Sequence, residues 1–205
     1  MSLHSRSRER GAFVAIDRGP SYPSTLDGVH FVATGSAGIS AGETAIAGTT
    51  SFTATTPQFI VYAAAATRRL VLKSISLTQK GTAAGAAISV AAILDRTDRY
   101  TSGGTAGLVH NQLQGPATSG SAQQRASVFS ARGANGSAIV AAAATADARL
   151  VLDAGRPVLS GDSYTWTFDD GTVLEEGAGS LLLYWFAATT APTMSVMVDF
   201  VEEDT

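Results

Sequence analysis

A chain of 205 residues lies just above the roughly 100 to 200 residues usual for one domain, a length that all-β units often use as a single body. Net charge is −3, charged residues make up 15% of the chain against about 25% in an ordinary soluble domain, and mean hydropathy is +0.15. The absence of cysteine excludes disulfides and thiolate metal sites, and the longest apolar run, Leu181 to Ala188, falls well short of the roughly 20 residues that cross a bilayer as a helix.

The N-terminus, MSLHSRSRERGAFVAIDRG, lacks the apolar stretch of about 7 to 15 residues that marks a signal peptide, so export by the standard route is not expected. Its first twenty residues hold Arg6, Arg8, Arg10 and Arg18 against Glu9 and Asp17, a balance of +2 that leaves −5 for the rest of the −3 chain. Such a segment buries too little to repay about 1 to 2 kcal/mol of backbone entropy per residue, so a partner must order it. Arg6, Arg8 and Arg10 offer charge-assisted hydrogen bonds to acidic groups, and Phe13 and Ile16 offer a short apolar anchor. A basic arm on an acidic body can contact nucleic acid or an acidic protein surface. The protein surface is the expectation, nucleic acid is not, and a solvated, frayed terminus is the bland alternative.

Residues 34 to 56 are small and polar and read as an extended linker along a surface. Residues 1–56 are therefore expected to form an arm and linker with room for one strand, and residues 57–205 a β-sandwich domain. In Arg69 to Leu77 the apolar parity slips, with Leu70 and Leu72 even but Ile75 and Leu77 odd, which predicts a β-bulge or a change of face. Ile88, Val90, Ala92 and Leu94 share one parity and predict a strand. The Gly, Ser and Gln-rich stretch from Thr101 to Ser137 is too long for a structureless loop and is expected to hold short strands near Leu108 to Leu113 and Ala126 to Ser130.

Tyr164, Trp166 and Phe168 alternate with threonines, so their rings share one face, with Trp166 expected in the core; Asp169-Asp170-Gly171 reads as the turn that follows. Leu181 to Phe186 is apolar without alternation and too short for a typical helix, the pattern of a strand buried on both faces. Val196, Val198 and Phe200 mark one face of a last strand before an acidic end at Asp199, Glu202, Glu203 and Asp204. Two blocks, AAAAT followed by RLVL at Ala63 and again at Ala141, are similar enough to be equivalent strands of two halves, with chance in an alanine-rich chain as the alternative.

Chemistry is sparse. His4, His30 and His110 lie in three separate regions, and no nucleophile elbow or phosphate-binding glycine motif is present. Asp169-Asp170 and Glu175-Glu176 have the oxygen atoms for calcium or for a glycosidase pair, but neighbouring carboxylates on a turn are usually solvated. Tyr164, Trp166, Tyr184 and Trp185 have rings suited to sugar stacking, yet their strand positions favour core packing. The expectation is no enzyme, no cofactor and no metal. An alanine-rich surface with few charges gains by being covered, which predicts a symmetric oligomer, expected to be a trimer.

Short strands separated by turn signals predict an all-β antiparallel two-sheet sandwich, jelly-roll-like, with an extended N-terminal arm; an immunoglobulin-like sandwich is the rival. In RLVLKSISLTQKG from Arg69 and GRPVLSGDSYTWTF from Gly155, and in its Ala, Gly, Ser and Thr content from roughly Pro57 to Val201, the chain resembles the jelly-roll structural proteins of tailed-phage virions. That resemblance implies a capsid decoration, head or tail component residing in the virion. Its partners would be copies of itself and other virion proteins such as the major capsid protein, with no membrane. A carbohydrate-binding or adhesion module using the Thr101 to Ser137 loops is the second reading, and a glycoside-active enzyme a distant third.

Overall fold

A computed structural model describes residues 30–35, 45–63, 68–80, 87–95, 97–111, 126–130, 138–142, 149–153, 163–174 and 179–204. Among these residues there is no helix, and every strand pairing is antiparallel. The strands are β1 (His30–Thr34), β2 (Ile46–Ala47), β3 (Phe59–Ala63), β4 (Arg68–Gln79), β5 (Ser89–Asp95), β6 (Tyr100–Gly103), β7 (Thr105–Ala106), β8 (Leu108–Asn111), β9 (Ala126–Ser130), β10 (Ile139–Ala141), β11 (Arg149–Asp153), β12 (Ser163–Leu174), β13 (Ser180–Phe186) and β14 (Thr193–Asp204). The first sheet runs β12-β4-β14-β1-β8, with β2 also against β14; the second runs β11-β5-β13-β3-β9-β7; β10 and β6 form a small third sheet.

Alternation along the strands builds one core from both large sheets. Phe31, Leu72, Ile75, Val198 and Phe200 from the first meet Phe59, Val90, Leu181, Leu183 and Trp185 from the second in a single buried cluster. The parity slip in β4 is a bulge at Lys73. Asp199 pairs with Ser74 and Phe200 with Leu72, so the extra residue turns Leu70 and Leu72 to the same core as Ile75 and Leu77.

In β12 Ser163, Thr165 and Thr167 are exposed and Tyr164 is buried, as the alternation predicts. Trp166 packs against the core but is only half-buried, because β12 is the outermost strand of its sheet. The expected turn at Asp169-Asp170-Gly171 is instead part of β12. Pairing with β4 stops at Thr167–Ser74 and resumes at Thr172–Leu72, so residues 168–171 stand opposite the Lys73 bulge and are taken up as a widened irregularity within the strand.

The burial of β13 on both faces has a specific cause. Leu181, Leu183 and Trp185 enter the main core, while Leu182 and Tyr184 point to the other side and join Ile60, Ile139 and Ala141 in a second cluster. The cover is the small β6–β10 sheet, where Tyr100 stacks on Tyr62 at 5.5 Å between ring centres. Both of its strands belong to the long excursion between β5 and β11. The same excursion adds β8 to the edge of the first sheet and β9 to the second, where the two short strands were expected. At the end of β6 Gly103 has a φ of 78°, and a Cβ there would lie 2.1 Å from the Ala138 carbonyl oxygen.

Two strands precede residue 57, β1 and β2, and β1 is an internal strand between β14 and β8 with Phe31 stacked on Phe200. Residues 45 to 49 are not a surface linker. Ile46 is fully buried and pairs with Met194, and Trp185 Nε1 donates to the Ile46 carbonyl at 3.2 Å. Thr49 N–H donates to the Trp185 carbonyl and Ala187 N–H to the Thr49 carbonyl, so this short piece ties β14 to β13 across the two sheets. Gly48 permits the crossing, since a Cβ on it would lie 2.4 Å from the Trp185 carbonyl oxygen. The RLVL parts of the two similar blocks take different places, Arg69 to Leu72 in β4 and Arg149 to Leu152 in β11. Among the described strands β4 is internal in the first sheet and β11 lies at the margin of the second.

Candidate interaction surface

Arg6, Arg8, Arg10, Phe13 and Ile16, the residues expected to dock on a partner, lie outside the described residues, as do His4 and Glu175-Glu176. Of the groups with chemical potential that remain, His30 on β1 and His110 on β8 come to neighbouring strands, because Val32 pairs with His110 on one side and with Asp199 on the other. The imidazole Nε2 of buried His30 meets the Asp199 carboxylate in a hydrogen bond on the outer side of the first sheet. Among the described residues no group of three or more His, Asp or Glu side chains has the geometry to hold a metal ion.

One buried polar cluster sits where β5 leaves the second sheet. Arg99 donates from Nε to Asp95 Oδ2 at 2.7 Å and from a terminal guanidinium nitrogen to Oδ1 at 3.3 Å. Thr97 N–H also donates to that carboxylate, and Ser180 Oγ donates to the Thr97 carbonyl at 2.8 Å. Each polar group thereby gains a partner, and the root of the excursion is pinned to the start of β13. The Asp95 side chain is 1% exposed.

Tyr184 has a second structural role, donating its hydroxyl to the Ala54 carbonyl at 2.8 Å beneath the covering layer. Burial raises its phenol above the ordinary value of 10.0. Below about pH 10 folded and unfolded chains both keep that proton, whereas above it only the unfolded chain releases it. Stability should therefore fall as pH rises past about 10, and Tyr184→Phe should make the alkaline loss of Tm shallower. Equal slopes for the two proteins would contradict the assignment.

Among the described residues two surfaces are open. Over the second sheet, Phe52 is 44% exposed against Tyr184 and Phe186, and Val140 on β10 is also 44% exposed. On the first sheet the outer side toward β12 is a ladder of hydroxyls. Thr78 shares a hydrogen bond with Ser163 at 2.8 Å, Ser76 with Thr165 at 3.0 Å, and Ser74 stands opposite Thr167. Met197, 43% exposed, continues the row beyond Ser76. The ladder was not singled out from the sequence, although its signal is there: Ser74, Ser76 and Thr78 alternate with Ile75 and Leu77 just as Ser163, Thr165 and Thr167 alternate with the aromatics.

Of the four aromatics considered for sugar stacking, Tyr164, Tyr184 and Trp185 are buried, and only Trp166 keeps ring surface open. The chain matches no protein-family profile, no curated protein and no solved structure.

Proposed function

We propose that this chain is a non-enzymatic structural protein of a virion, a capsid decoration, head or tail component, whose β-domain is a jelly-roll sandwich that oligomerises as a trimer and docks on a larger shell through its N-terminal arm. Strand pairing supports the fold. Without β2 and the excursion strands, eight strands remain, and they pair outermost to innermost: β1 with β14, β3 with β13, β4 with β12, and β5 with β11. That is the order of one long hairpin rolled up, and the β14–β4 and β13–β5 pairings complete the two sheets.

The observation that carries the assembly reading is the hydroxyl ladder. Across Ser163, Thr165, Thr167, Ser74, Ser76 and Thr78 it sets out no charge to hold solvent and no large apolar patch to drive aggregation, a surface suited to contact with like surfaces. The protein should co-sediment with particles released from cells that carry its gene. Removing residues 1–19 should leave Tm nearly unchanged while lowering the number of copies per particle. Unchanged occupancy would remove the arm from docking, and binding on a glycan array without particle association would replace the proposal with the carbohydrate-binding reading.

A further inference from the structure

We infer that residues 20–29, the stretch that leads into β1, fold back over the outer side of the first sheet and fill an apolar seat made by Val32, Val71 and Val201. The inference is independent of the assembly reading and adds to it the point from which the N-terminal arm departs.

The register makes the seat. Val201 pairs with Val71 on one side and with His30 on the other, and Val32 follows His30 on the same side of β1. The alternating neighbours Phe31, Leu70, Leu72 and Phe200 point into the core, so the three valines point away from it. Yet Val32 is 8% exposed, Val71 7% and Val201 4%, whereas Met197 on the same outer side is 43% exposed. Side chains stand roughly upright on a sheet, so neighbours shield their flanks and only atoms laid over the sheet close their tips. None of the described strands lies there: the second sheet packs on the inner side, and β6 and β10 cover the far side of the second sheet. The cover is therefore another part of the same chain.

Besides Thr205, four stretches border this end of the sheet, because His30, Arg68, Asn111 and Leu174 all lie toward the Val201 end of β14. Residues 64–67 are three alanines and a threonine, residues 175–178 are Glu-Glu-Gly-Ala, and residues 112–125 bring one large apolar side chain, Leu113. Residues 20–29 bring Tyr22, Leu26 and Val29, and their Asp27-Gly28 pair is suited to reverse the chain just before β1. The reach agrees. His30 and Val71 are separated by two strand spacings, about 10 Å. The chain from His30 back to Leu26 spans up to about 14 Å, enough to carry Leu26 over Val71 after the turn. The arm of residues 1–19 then starts from one corner of the first sheet, so a partner that holds the arm also orients the sandwich.

Because the chain has no cysteine, a single introduced thiol reports its own burial. In Val71→Cys the thiol should be alkylated slowly by a maleimide, both in the full chain and after removal of residues 1–19. Removing residues 1–29, or changing Tyr22→Asp and Leu26→Asp together in the full chain, should speed alkylation about tenfold or more by opening the seat. Thr165→Cys, exposed on the same outer side, should react fast in every background. The aspartate variant keeps the test decisive where the shorter chain fails to fold, and a cooperative thermal melt shows that its body is intact. A Val71→Cys thiol that stays protected in the folded aspartate variant overturns the inference. So does protection that is lost on about a hundredfold dilution of the full chain, since that places the segment of a second copy in the seat. Neither result touches the co-sedimentation expected from the assembly reading, which fails separately if the protein never enters particles.

Discussion

Trp185→Ala is expected to cost roughly 3 to 5 kcal/mol, the range for removing a large aromatic from a packed core. The ring is fully buried in the cluster shared by both sheets, and its Nε1 donates to the Ile46 carbonyl. Alanine at this position leaves both a cavity and a buried carbonyl without its donor, and the second loss adds desolvation to the first. It also loosens the crossing at residues 46 to 49, which passes over Trp185 so closely that glycine is required at position 48. For a chain of this size Tm should fall by roughly 6 to 20 °C. Trp166→Ala is the internal comparison, since the half-buried ring loses less area, and its effect should be about half as large. Equal shifts for the two tryptophans would mean that the edge strand is as well covered as the core.

The second large effect is expected at Asp95. Removing one partner of a buried, hydrogen-bonded ion pair typically costs about 3 to 5 kcal/mol, because the other charge remains without compensation. In Asp95→Ala the Arg99 guanidinium loses both of its bonds to that carboxylate, and Thr97 N–H loses its acceptor. The double variant Asp95→Ala/Arg99→Ala should be more stable than Asp95→Ala alone, since it removes the stranded charge as well. Thermal melts of the three proteins give the comparison directly. A single variant within about 0.5 kcal/mol of the parent would show that solvent reaches the pair.

Much of the fold was legible wherever side-chain period and strand geometry agree. The alternation of Tyr164, Trp166 and Phe168 with threonine, and of Val196, Val198 and Phe200 with their neighbours, gave the correct inward faces. The broken parity around Lys73 marked a real bulge. The unbroken run at Leu181 signalled two covered faces, but it could not say that β6 and β10, drawn from a distant excursion, make the second cover. Ile46 was obscured by its setting. One isoleucine amid glycine, alanine and threonine has no period, and its burial depends on a crossing between strands far away in sequence. Glu202 lies buried within β14, a position that its charge does not signal. The interaction surface was the least legible part, because hydroxyls become a continuous ladder only when β4 and β12 are placed side by side.

The central place of β14 in the first sheet has a consequence for how the protein is made. Its neighbours there are β4 on one side and β1 and β2 on the other, so the strands synthesised earliest in that sheet have no bridge between them until residues 193 to 204 have been made. Translation at about 5 to 20 residues per second leaves β1 and β4 waiting for many seconds, with apolar faces uncovered and edges unpaired. Closure then depends on contacts between the two ends of the domain, the kind of distant pairing that places β-proteins in the millisecond-to-second folding range. A nascent chain stalled before β14 should thus be protease-sensitive and bound by chaperones, and release of that last strand should be the event that commits the molecule to its native state.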